Sequence, residues 1–161
     1  MNESRSAVVN DADVEKLWFL GTLAQIKLDG PTTGGRLGVF EAEFPRGASP
    51  PLHSHPQDET FYVLDGDVTV WVDGQPRTCS RGGLAFAPAG TPHSFRVDSD
   101  TARMLIISTA AGIEEYVRAL GEPATWPWLQ PPTEGPRVPM ERIEAAEREY
   151  GITRHGPPPG S

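Results

Sequence analysis

At 161 residues the chain fits one ordinary domain of about 100–150 residues, and a second full one is not expected. Its 14 Lys and Arg against 22 Asp and Glu give a formal charge of −8 without blocks of like sign, so phosphate backbones and anionic lipid surfaces would be repelled, and neither nucleic acid nor membrane is an expected partner. The single cysteine, Cys79, excludes an internal disulfide, and no run approaches the ~18–20 apolar residues of a membrane helix, so a soluble, cytoplasmic protein is expected.

The opening MNESRSAVVNDADVEKLWFL carries acidic residues and lacks the basic start and continuous apolar run of a secretory signal. Residues 1–35 read as an N-terminal arm with the first strand or strands. Within it Leu17, Trp18 and Phe19 are apolar enough to cover the rest of the fold or to pack on a second copy, and a homodimer is the expected assembly.

From Arg36 to Phe44 the run RLGVFEAEF alternates loosely between Gly34-Gly35 and Pro45, which reads as a strand. A second strand is expected from about Leu52 through Val63, interrupted near Pro56-Gln57-Asp58. Asp65-Gly66 then offers a hairpin turn, with Asp67 to Val72 pairing back. Asp73-Gly74 is another turn signal, and Leu84 to Ala87, His93 to Val97 and Arg103 to Ser108 supply further short strands. Gly and Pro, 17 each, recur between these runs, the punctuation of an all-β sandwich or barrel.

Helix signals come late. Ile113 to Leu120 stops at Gly121, and Pro139 to Tyr150 has Pro at its start and Gly151 past its end. Between them a proline-rich stretch with Trp126 and Trp128 reads as an extended connector pinned by its indoles. The expected organisation is a barrel over 36–110, C-terminal helices and connector over 111–155, and a frayed, flexible tail in the closing HGPPPGS, residues 156–161 in particular.

Three of the four histidines fall in two short segments, His53 and His55 in PPLHSHPQDETF and His93 in PAGTPHSF. Two residues apart on a strand, His53 and His55 leave one face with Cα atoms about 6.5–7 Å apart, so two imidazoles converge on one ion. Glu59 follows past a proline kink, and His93 would come from a distant strand. Three nitrogens and one carboxylate suit a divalent transition metal ion, Ni, Fe, Mn, Co, Cu or Zn, and an octahedral ion would keep two open positions. HxH alone is weak, since it occurs often by chance.

The longer spacing is more specific. Gly47, five residues, His53-x-His55, three residues, Glu59, six residues and Gly66 follow one pattern; Gly82, five residues, Pro88, one residue, Gly90, two residues and His93 follow another, although its closing position, often Asn, is Val97 here. On these motifs, residues 36–108 resemble the cupin superfamily. The resemblance implies an all-β fold, a double-stranded β-helix or jelly-roll barrel with C-terminal helices, with one metal ion at its centre held by His53, His55, Glu59 and His93.

LWFLG at 17–21, TTGGR at 32–36 and the ending EYGITRHGPPP are similar to bacterial monocupins of the quercetin 2,3-dioxygenase kind, though these motifs are less specific. That likeness implies cleavage of a flavonol ring by O₂ with release of carbon monoxide, Glu59 acting as both ligand and catalytic base. Alternation puts Phe61 and Val63 on the face of Glu59, and Phe95 and Val97 on the face of His93. These four are candidate lining for a small aromatic substrate, and plain barrel core is the competing reading. A non-redox cyclase or isomerase and a non-catalytic binding protein are the alternatives on the same fold. Tyr62 and Trp71 read as outer sheet surface or a subunit contact, Met104 and Ile106 as core, Arg36 as a solvated charge, Cys79 as a structural thiol and His155 as outside the site.

Overall fold

Alternation of buried and partly exposed side chains along the strands sets the architecture, because a strand points successive residues to opposite faces and each sheet has one face to bury. The computed structural model describes residues 3–125 and 137–160; the Trp126 and Trp128 connector lies outside the described residues. In chain order the elements are β1 Glu15–Phe19, β2 Thr22–Leu28, α1 Gly30–Thr33, β3 Gly38–Pro45, β4 Leu52–Ser54, β5 Asp58–Asp65, β6 Asp67–Val72 and β7 Gln75–Ser80. There follow β8 Leu84–Ala87, β9 His93–Val97, β10 Thr101–Thr109, α2 Ile113–Leu120, β11 Glu122–Pro123, α3 Met140–Tyr150 and β12 Thr153–Gly156.

Among the described residues the strands form two antiparallel sheets, in the orders β11-β1-β2-β3-β10-β5-β8 and β12-β4-β9-β6-β7. They face each other as the expected jelly roll, with α2 and α3 C-terminal to it. No helix among the described residues is long and apolar enough to cross a membrane.

The core lies between the sheets. Phe40, Ala42 and Phe44 alternate inward from β3, Phe61 and Val63 from β5, Val68 and Val70 from β6, Phe95 and Val97 from β9, and Met104 and Ile106 from β10. Phe44 and Phe95 meet edge to face at 5.0 Å and 70°, a preferred aromatic geometry. Each fully buried side chain of this size contributes about 1.5–3 kcal/mol relative to exposure.

The turns follow their residues, with one correction. Asp73 and Gly74 both take positive φ, 56° and 74°, and close the β6–β7 hairpin as their pairing suggests. Asp65-Gly66, by contrast, does not make a hairpin: β6 pairs with β9 and β7, while β5 pairs with β10 and β8. Gly66, at φ 84°, packs so closely on Thr101 and Ala102 that a Cβ would collide with the Thr101 carbonyl, and the chain turns there from one sheet to the other. Likewise 52–63 is not one interrupted strand. The break at Pro56 separates β4 from β5 and sends them to opposite sheets.

β7 and β12 add strands that the sequence patterns do not predict. β1 and β2 form a hairpin through Leu20 and Gly21 at φ 47° and 81°. The tail is not frayed at His155, because Thr153–Gly156 pairs with β4, joining Arg154 to His53 in register. That strand lacks apolar alternation, and its partner exists only once the sheet has formed.

Two helices close one side. α2 buries Ile113, Val117 and Leu120, spaced for one helical face, and α3 ends at Gly151 in the left-handed conformation that caps helices. Glu114 is wholly buried, and its carboxylate accepts from the backbone N–H groups of Gly30 (3.1 Å) and Gly112 (2.8 Å), tying α2 to the N-terminal hairpin. Arg118 pairs with Glu15, Asp29 and Glu115, reinforcing the same junction.

Candidate metal centre

Four side chains from three segments meet inside the barrel: His53 on β4, His55 just beyond its end, Glu59 on β5 and His93 at the start of β9. The switch of sheets at Pro56 is what turns the Glu59 carboxylate back toward the two histidines that precede it. β4 and β9 pair with His53 opposite His93, placing their rings 4.5 Å apart between centroids. Gly90 N–H donates to the His55 carbonyl at 2.8 Å, locking the loop before His93 onto the His53–His55 segment. One potential ligand atom from each residue lies within 4.8 Å of those of the other three.

The ring orientations are fixed from behind. Nδ1–H of His53 donates to the Pro51 carbonyl at 2.8 Å, that of His55 to the Gln57 carbonyl at 3.1 Å, and that of His93 to the Thr91 carbonyl at 2.8 Å. A carbonyl only accepts, so these contacts assign the proton to Nδ1 and leave the Nε2 lone pair of a neutral ring free. Backbone support of this kind orients metal-ligating histidines.

The Nε2 atoms of His55 and His93 lie 2.9 Å and 2.8 Å from one Glu59 oxygen, which is also an acceptor. Glu59 is 5% exposed and His93 1%, so water cannot separate these lone pairs, and a proton or a cation is needed between them. Burial raises the Glu59 carboxyl's affinity for a proton, but with a proton on the facing Nε2 atoms the hydrogen bonds from His55 and His93 outweigh it and hold the group well below the usual carboxylate range. For His93 burial lowers the pKa and the bond to Glu59 raises it further, with a net upward shift. Burial and the neighbouring His93 push His53 down to about 4, so it stays neutral near pH 7. A dication satisfies all four ligands at once, and the three-nitrogen, one-carboxylate donor set fits a divalent transition metal.

Beside these residues lies a cavity of about 370 Å³. Phe61 and Phe95 line it, whereas Val63 and Val97 do not. At 0% and 1% exposure those two valines sit in the hydrophobic core with Val68 and Met104, as the competing barrel-core reading has it, two residues further along their strands than Phe61 and Phe95. The remaining wall includes Phe40, Phe44 and Ile106 from the barrel, Phe19 from β1, and Ile113, Tyr116, Ile143, Glu147 and Arg154 from the C-terminal region. The inward alternation of Phe40, Ala42 and Phe44 was readable in the sequence. The C-terminal wall was not, because nothing in a helical pattern says which surface the helix covers.

The other singled-out residues fall outside the cluster. Met104 and Ile106 are core, and Tyr62 is exposed. Trp71 carries Arg96 over its ring at 5.5 Å. Arg36 is at the surface, donating to Ser4 Oγ. Cys79 packs against the core, where burial raises its thiol pKa. His155 is not a ligand, but its Nε2 lies 2.7 Å from Ser54 Oγ, between the two histidines of β4 and its extension.

Comparison with known proteins agrees with this architecture. The profile of the Cupin domain family matches residues 40–109. Quercetin 2,3-dioxygenase of Bacillus subtilis (strain 168) is 32% identical over 117 residues, 72% of this chain and 35% of that protein. The chain spans between about a third and a half of the length of the curated relatives it matches. Among solved structures, the polyketide cyclase RemF from Streptomyces resistomycificus is 25% identical with a TM-score of 0.55, covering 65% of this chain and 80% of that one. An RmlC-like cupin from Shewanella frigidimarina NCIMB 400 is similar in fold, with a TM-score of 0.59 at 22% identity, covering 73% of this chain and 100% of that one.

Proposed function

Residues 40–109 form a cupin domain, and we propose that the protein is a metal-dependent dioxygenase that opens the central ring of a flavonol such as quercetin. The observation that carries the reading is the convergence of His55 and His93 on one oxygen of Glu59, with His53 alongside, on the wall of an apolar, aromatic-lined cavity. Similarity to a quercetin 2,3-dioxygenase supports the substrate class.

His53, His55, Glu59 and His93 would hold the ion. When bound, a divalent transition metal supplies Lewis-acid stabilisation of a deprotonated substrate hydroxyl and, if redox-capable, electron exchange with O₂. Glu59 is the base: held ionised, it accepts the proton of the flavonol 3-hydroxyl. The histidines, tied to backbone carbonyls, keep their rings in place while that carboxylate changes partners. Phe61, Phe95 and Phe40 offer flat apolar surface to a planar substrate and keep water from the reacting carbons. In the net reaction both atoms of O₂ enter the products and one ring carbon leaves as carbon monoxide.

A second reading is a non-oxidative cyclase or isomerase, favoured by the likeness to a polyketide cyclase. The same base and the same cavity would then move protons on an aromatic or polyketide-like substrate without O₂.

Incubation with quercetin in air and under anaerobic conditions, following its near-visible absorbance and headspace carbon monoxide, tests the proposal. Bleaching with carbon monoxide only in air is the expected result. A metal-loaded protein that leaves quercetin intact in air overturns the dioxygenase reading and favours the non-oxidative one.

A further inference from the structure

The part of the cavity wall made by C-terminal elements carries a polar cluster that the metal chemistry does not use. Tyr116 comes from α2, Glu147 from α3 and Arg154 from β12, all outside the matched cupin segment, and all three line the cavity. Arg154 Nε donates to both Glu147 oxygens, at 2.8 Å and 3.0 Å, and its Nη2 lies 2.8 Å from Oε1. The pair is therefore neutral as a unit, and the guanidinium keeps N–H donors beyond those it gives to Glu147. The Tyr116 ring is held edge to face by Phe19 at 5.6 Å and by Tyr150 at 6.3 Å, yet its hydroxyl has no hydrogen-bond partner among the described residues. Burial and Glu147 push that hydroxyl up to about 12, so it is a neutral donor and acceptor.

We propose that Tyr116, Glu147 and Arg154 form a recognition site for the adjacent hydroxyls of a catechol-type ring, on the side of the cavity where β12 pairs Arg154 with His53. A neutral ion pair favours a neutral hydrogen-bonding group over an anion or a cation. Two neighbouring phenol hydroxyls match it, one donating to the Glu147 carboxylate and the other accepting from Arg154 while Tyr116 bonds either oxygen. A ring without hydroxyls would forgo those hydrogen bonds, and the site would hold it less tightly. The assignment rests on reading the cavity as a site for an aromatic substrate.

The test measures anaerobic affinity of the metal-loaded protein for quercetin and for galangin, the flavonol without hydroxyls on its pendant ring. Tyr116→Phe keeps the ring contacts and Glu147→Gln keeps the side-chain shape, so both variants are expected to fold. The protein should prefer quercetin, and each variant should lower the quercetin-to-galangin affinity ratio by about tenfold, the worth of one lost hydrogen bond. A merely structural role would weaken both ligands together and leave the ratio unchanged, which overturns the assignment, as does a parent protein that binds the two alike or binds neither. A parent that prefers quercetin, loses the preference in the variants, yet does not consume quercetin in air keeps the recognition site and refutes the dioxygenase.

Discussion

Under the proposed function Glu59 stands where two demands meet: as base and ligand it would have to be ionised, and it is nearly inaccessible to water. Its partners resolve the conflict, since two imidazoles face one of its oxygens and each is oriented from behind by a carbonyl. Replacing the charge while keeping the shape separates its roles. Glu59→Gln should retain part of the metal through the three histidines and lose flavonol turnover by roughly 100-fold or more, the scale of a missing general base; metal content and kcat measured on the same sample check both halves. These ligands were legible because their spacing is set by the chain's own path: a strand, a proline break and a second strand. For Val63 and Val97 the sequence leaves lining and core both open, for an equally physical reason. Alternation tells which face a residue occupies, but not how deep in the barrel the cavity ends.

At the scale of elements, close packing of backbone decides where the sheets exchange strands. Gly66 has neither the room nor the φ for a side chain, so Gly66→Ala should destabilise the fold by about 1–3 kcal/mol, as overpacking and a strained φ do elsewhere, read from the urea midpoint at unchanged m-value. Asp29 makes a different prediction. Burial raises its pKa, but the hydrogen bonds from Thr32 and Arg118 outweigh that and hold the carboxylate below its ordinary range. A depressed folded-state pKa contributes stability above the unfolded value that is lost as pH falls through the folded one. Asp29→Asn should therefore cost stability at neutral pH and little once both forms are protonated, checked by urea midpoints at neutral and at acid pH. Strand existence was largely readable from alternation and from Gly and Pro punctuation. Partner choice was not: Asp65-Gly66 carries a hairpin signal, and only tertiary contact with Thr101 and Ala102 shows that the chain changes sheets there. β12 escaped for a related reason, since its four residues become a strand only beside β4.

Across the whole molecule, the segment 40–109 brings the candidate ligands together and supplies part of the cavity wall, which β1 and the C-terminal elements complete. Because the ligand set is assembled only in the folded state, metal should stabilise the protein as a ligand does, by about 2.7 kcal/mol at a free concentration 100 times Kd. Thermal unfolding should thus rise on metal addition and fall on chelation, and the shift should vanish in His93→Ala. The fold class was open to sequence reading because two spaced motifs belong to one barrel. The cavity's C-terminal wall was not, being made by packing between segments far apart in sequence, such as Phe19 against Tyr116.

The most direct test is elemental analysis of the purified parent protein beside His93→Ala and Glu59→Ala. Close to one divalent transition metal per chain in the parent, with most of it lost in both variants, is the predicted result; equal metal content in all three, or none in the parent after incubation with the candidate ions, would contradict the metal centre on which the proposed chemistry stands.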